Sequence, residues 1–278
     1  MRKIASKEIE EKVKELCMSA NYNLGEDVIK AFKKGLELEE SPVGKEILKA
    51  LLENAEIART EQMPICQDTG VAMVFVDIGE DVCIEGSIDE AINAGVEAGY
   101  KDGYLRKSIC DPLTRQNTET NTPASIYYNI VPGDKLKITV SPKGGGCNNM
   151  GRVTMLKPAD GVEGIKDFVI KRMSESGANP CPPVIVGVGI GGSLEKVAML
   201  ATEALLRPIG SKNPEPRLAA LEEELLEKIN NLGMGPQGLG GRFYAMAVHI
   251  KMFPTHIASL PVGVNVCCHA SRHKEITI

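Results

Sequence analysis

The chain has 278 residues, 43% of them apolar, enough to bury a full core as one large domain or as two lobes. A formal net charge of −5, only four histidines and no long basic run exclude nucleic acid or an anionic membrane surface as the main partner. No stretch approaches the roughly 20 apolar residues of a membrane span, and the N-terminus turns charged and amphipathic at once, unlike a signal peptide. A cytoplasmic protein is expected, so its eight cysteines need a reason other than disulfides.

Helical spacing of Ile9, Val13, Leu16, Cys17 and Ala20 predicts a first helix behind Ser6 as N-cap. A second is expected from about Asp27 to Leu38. A third starts at Ser41-Pro42, a cap followed by proline at the first helical position, and carries Val43, Ile47, Leu48, Leu51, Leu52 and Ala55 on one face. Residues 1–60 thus read as a helical scaffold, and 61–278 as the mixed α/β remainder of a single domain.

The stretch Met63-Pro64-Ile65-Cys66-Gln67-Asp68-Thr69-Gly70 sets a thiol, an amide and a carboxylate just before the apolar run Val71 to Ile78. A turn feeding a strand projects consecutive side chains in different directions, so Cys66 could hold a metal while Asp68 faces a substrate. Pro64 stiffens the entry and Gly70 permits a tight exit. An ordinary loop with a buried cysteine is the other reading.

Strands are predicted near 71–78 and 81–85, then a capping box at Ser87-Ile88-Asp89-Glu90. The helix it opens presents Ile88, Ala91, Ile92, Gly95, Val96 and Gly99, a smooth face suited to close packing, and delivers Tyr104-Leu105-Arg106. Residues 107–124 form a long polar loop of the functional or mobile kind. A hairpin is expected next, Ile126 to Ile130 and Lys135 to Val140 around Val131-Pro132-Gly133-Asp134. It opens into Lys143-Gly144-Gly145-Gly146-Cys147, whose glycines could form an anion-binding nest or a flexible exit.

After a helix bearing Ile165, Phe168, Val169 and Met173 comes Asn179-Pro180-Cys181-Pro182-Pro183, then a strand from Val184 to Val188. Gly187, Gly189 and Gly192 match G-x-G-x-x-G, but no second strand ending in an acidic residue follows at the distance a dinucleotide fold wants. Close helix–strand packing, or a helix N-terminus aimed at an anion, is the preferred reading over a nicotinamide-dependent dehydrogenase. A charged helix from about Arg217 to Asn230, the glycine-rich Gly233 to Gly241, a strand from Phe243 to Ile250 and a final segment through Cys267-Cys268 complete the chain. Strands and helices mix without strict alternation, which predicts an α+β or mixed α/β fold that can divide into two lobes around the cysteine loops.

Cys17, Cys83 and Cys110 read as core fillers. Cys66, Cys147, Cys181 and the pair Cys267-Cys268 sit beside Gly or Pro or at strand ends, where irregular backbone can aim several sulfurs at one point. No C-x-x-C pair occurs. Three thiolates around an iron–sulfur cube would leave one iron open as a Lewis acid; a fourth would suit electron transfer better.

The runs Pro64 to Gly70, Lys143 to Gly146, Asn179 to Pro183 with Gly189 to Ser193, Gly235 to Gly241 and Pro261-Val262-Gly263…Cys268 occur in that order. Together they resemble the α-type (N-terminal) half of the iron–sulfur-dependent class I fumarate hydratases and L(+)-tartrate dehydratases, over roughly residues 40–278. The resemblance implies a [4Fe-4S] cluster with one open iron, held by Cys66, Cys181 and Cys268. Cys268 is chosen over Cys267 because it falls seven positions after Pro261. The resemblance also implies that Gln67 and Arg106 bind substrate, that Gly144, Gly145 and Gly146 offer it backbone donors, and that Asp68 and His256 are catalytic.

The activity so implied interconverts a 2-hydroxydicarboxylate and its dehydrated product, L-malate and fumarate first. L(+)-tartrate is the alternative, because Cys147 and the Gly151-Arg152 and Lys157-Pro158 pairs look closer to that branch. An electron-transfer or cluster-carrier protein is the reading from another class, and a structural zinc subunit a weaker one. Single-chain relatives continue into a second domain after the third cysteine, whereas this chain stops at Ile278. A separate β subunit, in an α2β2 assembly, is therefore expected to complete the site.

Overall fold

The structure, a computed structural model, describes residues 2–278. Its first half contains β1 (Arg2–Ala5), α1 (Ser6–Tyr22), α2 (Glu26–Leu38), α3 (Pro42–Glu61), β2 (Val71–Gly79), β3 (Val82–Glu85), α4 (Ile88–Asp102), β4 (Ser125–Val131) and β5 (Leu136–Lys143). There follow the single turn α5 (Gly145–Asn148), β6 (Arg152–Leu156), α6 (Gly161–Ser176), β7 (Val184–Gly191), α7 (Leu194–Ala204), α8 (Pro216–Asn230), β8 (Ala245–Phe253), β9 (Leu260–Cys267) and β10 (Lys274–Thr277). Helices hold 42% of the residues and strands 25%, so the expected α+β class stands.

The chain groups into two compact units, neither of them one continuous segment. The first comprises Met1–Gly25, Asn54–Gly145 and Arg272–Ile278; the second comprises Glu26–Glu53 and Gly146–Ser271.

In the first unit a four-stranded sheet has the order β10-β5-β2-β4. The predicted hairpin is corrected here. β4 and β5 exist and are consecutive, but they do not pair. β2 lies between them, parallel to β4 and antiparallel to β5. Buried on both flanks, β2 contributes Val74 and Val76 to a core shared with Ile9 and Val13 of α1, Ile92 and Val96 of α4, and Ile138 and Val140 of β5. Such an apolar strand gains most from the centre of a sheet.

The expected smooth face of α4 meets α1. A Cβ at Gly95 would sit 2.5 Å from the Glu10 carbonyl oxygen, and one at Gly99 would sit 2.8 Å from Cys17 Cβ. Ser87 caps α4 as predicted, accepting from Glu90 N at 3.3 Å. The N-cap of α1 is Ala5 and not Ser6, with no side-chain cap. Arg2–Ala5 pairs in parallel with β3, and that pairing fixes where the helix begins.

The second unit is built on a sheet of order β6-β9-β7-β8. Val184, Val186, Val188 and Ile190 share a core with Val169 and Met173 of α6 and Leu221 and Leu225 of α8. Strand alternation turns Gly187 and Gly189 to the other face, where α7 packs. Added Cβ atoms there would lie 2.1 Å from the Ala201 carbonyl and 2.3 Å from the Val197 carbonyl. The glycines of the dinucleotide-like motif thus permit helix–strand contact, the packing role preferred from sequence.

The α2–α3 junction in this unit is pinned by Glu39, which is 1% exposed. Its carboxylate accepts from the backbone N–H groups of Glu40, Ser41, Arg242 and Phe243 at 2.8–3.0 Å. Burial pushes this carboxyl's pKa up, but the four donors outweigh it and hold the group below its ordinary value.

Candidate active site

The first unit presents the Cys66–Gly70 turn. Ile65, just ahead of the thiol, is anchored on both sides: its N–H donates to the Asn21 carbonyl at 3.0 Å, and its carbonyl accepts from Asn54 Nδ2 at 2.9 Å. Cys66 Sγ lies 3.4 Å from Gln67 Oε1. Cys66 is half-buried and Gln67 exposed, so both side chains remain accessible. Beneath them the fully buried Tyr100 brings its hydroxyl to 2.9 and 3.1 Å from the carbonyls of Thr69 and Gly70.

Asp68 Oδ1 accepts from Gly70 N at 3.0 Å and Oδ2 from Gly145 N at 2.8 Å. A Cβ on Gly144 would meet Oδ2 at 3.1 Å. The glycine loop therefore does act as a backbone donor, and Asp68 is the carboxylate it holds.

Arg106 is exposed, and its backbone carbonyl accepts from Thr69 Oγ1 at 2.9 Å. Asn121 fastens the polar loop that follows, with Oδ1 accepting from Ser108 N at 2.6 Å and Nδ2 reaching the Gly70 carbonyl at 3.3 Å. Two residues of this half-site escaped the sequence reading. Tyr100 was hidden in an amphipathic helix pattern, and Arg272 in a tail that carried no motif. Arg272 is 3% exposed. Its Nη2 donates to the Asp68 carbonyl, while Nε and Nη1 have no hydrogen-bond partner. Orphaned cationic donors of this kind suit an anionic ligand.

The second unit carries the other two predicted thiols. Cys181 is exposed and sits at φ +52°, its N–H donating to the Ala178 carbonyl at 2.9 Å. Cys268 follows the last residue of β9 and is half-buried, whereas Cys267, still in register opposite Ile185, is buried. Strand alternation thus turns the two adjacent side chains to opposite sides.

Of the remaining thiols, Cys17, Cys147 and Cys267 are buried. Cys147 is buried, with Sγ 3.8 Å from the Pro180 carbonyl. Burial pushes the Cys17 thiol up to about 12, which keeps it protonated and inert. Cys83 and Cys110 are only half-buried, so the core role expected of them is incomplete.

His256 lies on the exposed β8–β9 connection with Nδ1 accepting from Ala258 N at 3.1 Å. Gln237, inside the glycine-rich motif, links the Cys181 turn to His269; composition alone had marked that motif only as irregular. Among the described residues, no group of three or more His, Cys, Asp or Glu side chains could hold a metal ion.

The fumarate hydratase (Fumerase) family model matches residues 10–277. The chain belongs to this family. A Methanocaldococcus jannaschii protein provisionally named L(+)-tartrate dehydratase subunit alpha is 43% identical over 271 residues, 95% of each chain. L(+)-tartrate dehydratase subunit alpha of Escherichia coli strain UTI89 is 37% identical over 257 residues, covering 91% of this chain and 85% of its own. The K12 protein of that name is 36% identical over the same length. The fumarate hydratase family member described here is a hydro-lyase chain of α type, and its family is the iron–sulfur class of these enzymes.

The chemistry of the accessible thiols suits such a cofactor. Thiol ligands suit iron–sulfur clusters, and Cys66, Cys181 and Cys268 are the cysteines that the sequence resemblance implies as ligands. All three retain access to solvent on irregular backbone, unlike the buried Cys17, Cys147 and Cys267. No helix is long and apolar enough to cross a membrane, among the described residues.

Proposed function

We propose that this chain is the α subunit of a cytoplasmic [4Fe-4S] hydro-lyase that interconverts L-malate and fumarate. In this reading Cys66, Cys181 and Cys268 hold the cluster, and a separate β subunit completes an α2β2 enzyme. The observation that carries the reading is the Asp68 carboxylate, fixed by two glycine N–H groups two residues from the accessible Cys66 thiol. When bound, the cluster supplies a Lewis acid at an iron lacking a protein ligand, which makes a hydroxyl a better leaving group.

The chain's own residues supply the rest. Arg106 offers a guanidinium fork that can grip a substrate carboxylate in two-point fashion, where a lysine would give only a point charge. Gln67 and the glycine-loop backbone of Gly144 and Gly146, beside the Gly145 N–H that holds Asp68, orient the same ligand. Asp68 and His256 are the acid/base pair that moves the carbon-bound proton. Asp68 is held in one orientation by its glycine donors, so no reorganisation is needed when the proton transfers.

A second reading, L(+)-tartrate as substrate, is favoured by the names of the relatives at 43% and 37% identity. The two substrates separate chemically. Malate loses water to give a conjugated alkene, whereas tartrate gives an enol that becomes a 2-oxo acid. Anaerobic co-purification with a β-type chain, followed by both substrates with alkene absorbance and a carbonyl reagent as readouts, decides between them. Failure of both in a preparation with full iron would overturn the hydro-lyase assignment of the site. Cluster spectra unchanged by either substrate would point to a carrier instead.

A further inference from the structure

The motif Gly235-Pro236-Gln237-Gly238-Leu239-Gly240-Gly241 holds one long polar side chain among its glycines and prolines, and that side chain has specific partners. Gln237 sits at φ +53°, in the left-handed region. Its backbone N–H donates to the Pro182 carbonyl at 2.9 Å, and its Nε2 donates to the same oxygen at 2.7 Å. The other proton on Nε2 points to His269 Nδ1 at 3.2 Å. Because Pro182 offers only an acceptor, the amide presents nitrogen there; His269 Nδ1 lies between that nitrogen and the Cys181 carbonyl, 3.0 Å away, so it accepts from Gln237 in one tautomer and donates to Cys181 in the other. The His269 backbone N–H is left to donate to the Cys181 carbonyl at 3.3 Å.

With His269 Nδ1 as acceptor, the amide of Gln237 joins the residue after Cys181 to the residue after Cys268. The turn carrying it is itself held firmly. A Cβ on Gly238 would lie 2.4 Å from Ala178 Cβ, and one on Gly235 would lie 2.2 Å from the Gly240 carbonyl. The far end of the loop is fixed by Glu39 through Arg242 N and Phe243 N. A rigid turn presenting a two-donor amide to two different loops is a spacer between them.

We propose that Gln237 is a positioning residue that sets the separation and orientation of the Cys181 and Cys268 turns, so that the two thiols are preorganised for a shared iron–sulfur cofactor. The proposal rests on those cysteines being ligands. Backbone supports of this kind act on cofactor retention: losing an outer partner of a metal site typically weakens affinity on the order of tenfold or more.

The test uses Gln237→Gly, which keeps the left-handed turn and its backbone N–H while deleting only the side chain. Gln237→Glu is a second variant, which sets an acceptor against the Pro182 carbonyl. Full chains are reconstituted anaerobically with ferrous iron and sulfide. Iron and sulfide per chain, the rate of cluster loss to a chelator, and the cluster's spectrum are recorded, with thermal unfolding as a check on folding.

Both Gln237 variants should lose the cluster on the order of tenfold faster than the parent. Their cluster spectra should be altered, while Gln237→Gly keeps the parent's unfolding temperature. Parent-like loss rates and spectra in Gln237→Gly would overturn the proposal. Cys181→Ala and Cys268→Ala are run alongside. If these retain a full cluster, the ligand assignment itself fails; if they lose it while Gln237→Gly does not, only the role of Gln237 fails.

Discussion

Asp68 has both carboxylate oxygens engaged by backbone donors, at Gly70 and Gly145. An asparagine could satisfy one of these and would turn its NH2 against the other. Asp68→Asn should therefore lower anaerobic kcat by about 10²–10⁴, the range for a general acid or base, with the cluster spectrum retained. Near-normal turnover would remove Asp68 from proton transfer.

Glu39 acts at the same scale but on stability. Replacing this buried carboxylate by Glu39→Gln should lower unfolding stability by roughly 2–3 kcal/mol, the worth of hydrogen bonds to a charged group, read as a shifted urea midpoint. Its folded-state pKa is depressed, so its stabilisation is complete above the unfolded carboxyl's pKa. That contribution fades as pH falls through the lower folded value. The parent should lose stability more steeply than Glu39→Gln on acidification. The role of Glu39 could not be read from the sequence. Glu39 is one of two adjacent glutamates, and only the fold brings Arg242 and Phe243 to it.

At the scale of elements, hydrophobic periodicity located nearly every helix, because each buries one apolar stripe whatever its partner. It also flagged Gly95, Gly99, Gly187 and Gly189 as places for close approach. Gly189→Ala should destabilise the protein by about 3 kcal/mol, since the new methyl would meet backbone atoms of α7 that cannot swing aside. Titration calorimetry with NAD should show no heat, because these glycines face a helix and not a phosphate.

Strand partners were less legible. Ser125–Val131 and Leu136–Lys143 have the alternation and the Pro-Gly turn of a hairpin, yet β2 intervenes between them. Local pattern reports that a strand forms; which edge it joins depends on a segment some fifty residues earlier. The short β1, β6 and β10 were missed for the same reason. Strands of four or five residues carry too little pattern to stand out from loops.

Over the whole molecule, each unit encloses its own apolar core, one centred on Val74, Ile92 and Val140 and the other on Val186, Leu225 and Val264. Neither core includes the three candidate ligand cysteines. Chelating the iron should therefore abolish turnover while moving the unfolding temperature by no more than about 4 °C, equivalent to roughly 1 kcal/mol in a chain of this size. Retained far-UV circular dichroism would check this.

Composition and motif order by themselves determined the class of fold and the family. They could do so because residue chemistry and helical period are local properties of the chain. Only the tertiary structure decided that Asp68 is the glycine loop's own carboxylate, that Arg272 lies against Asp68 and Gln237 against the Cys181 turn, and that the chain folds as two discontinuous units. These facts are contacts between residues distant in sequence, and such contacts are set by how whole elements pack.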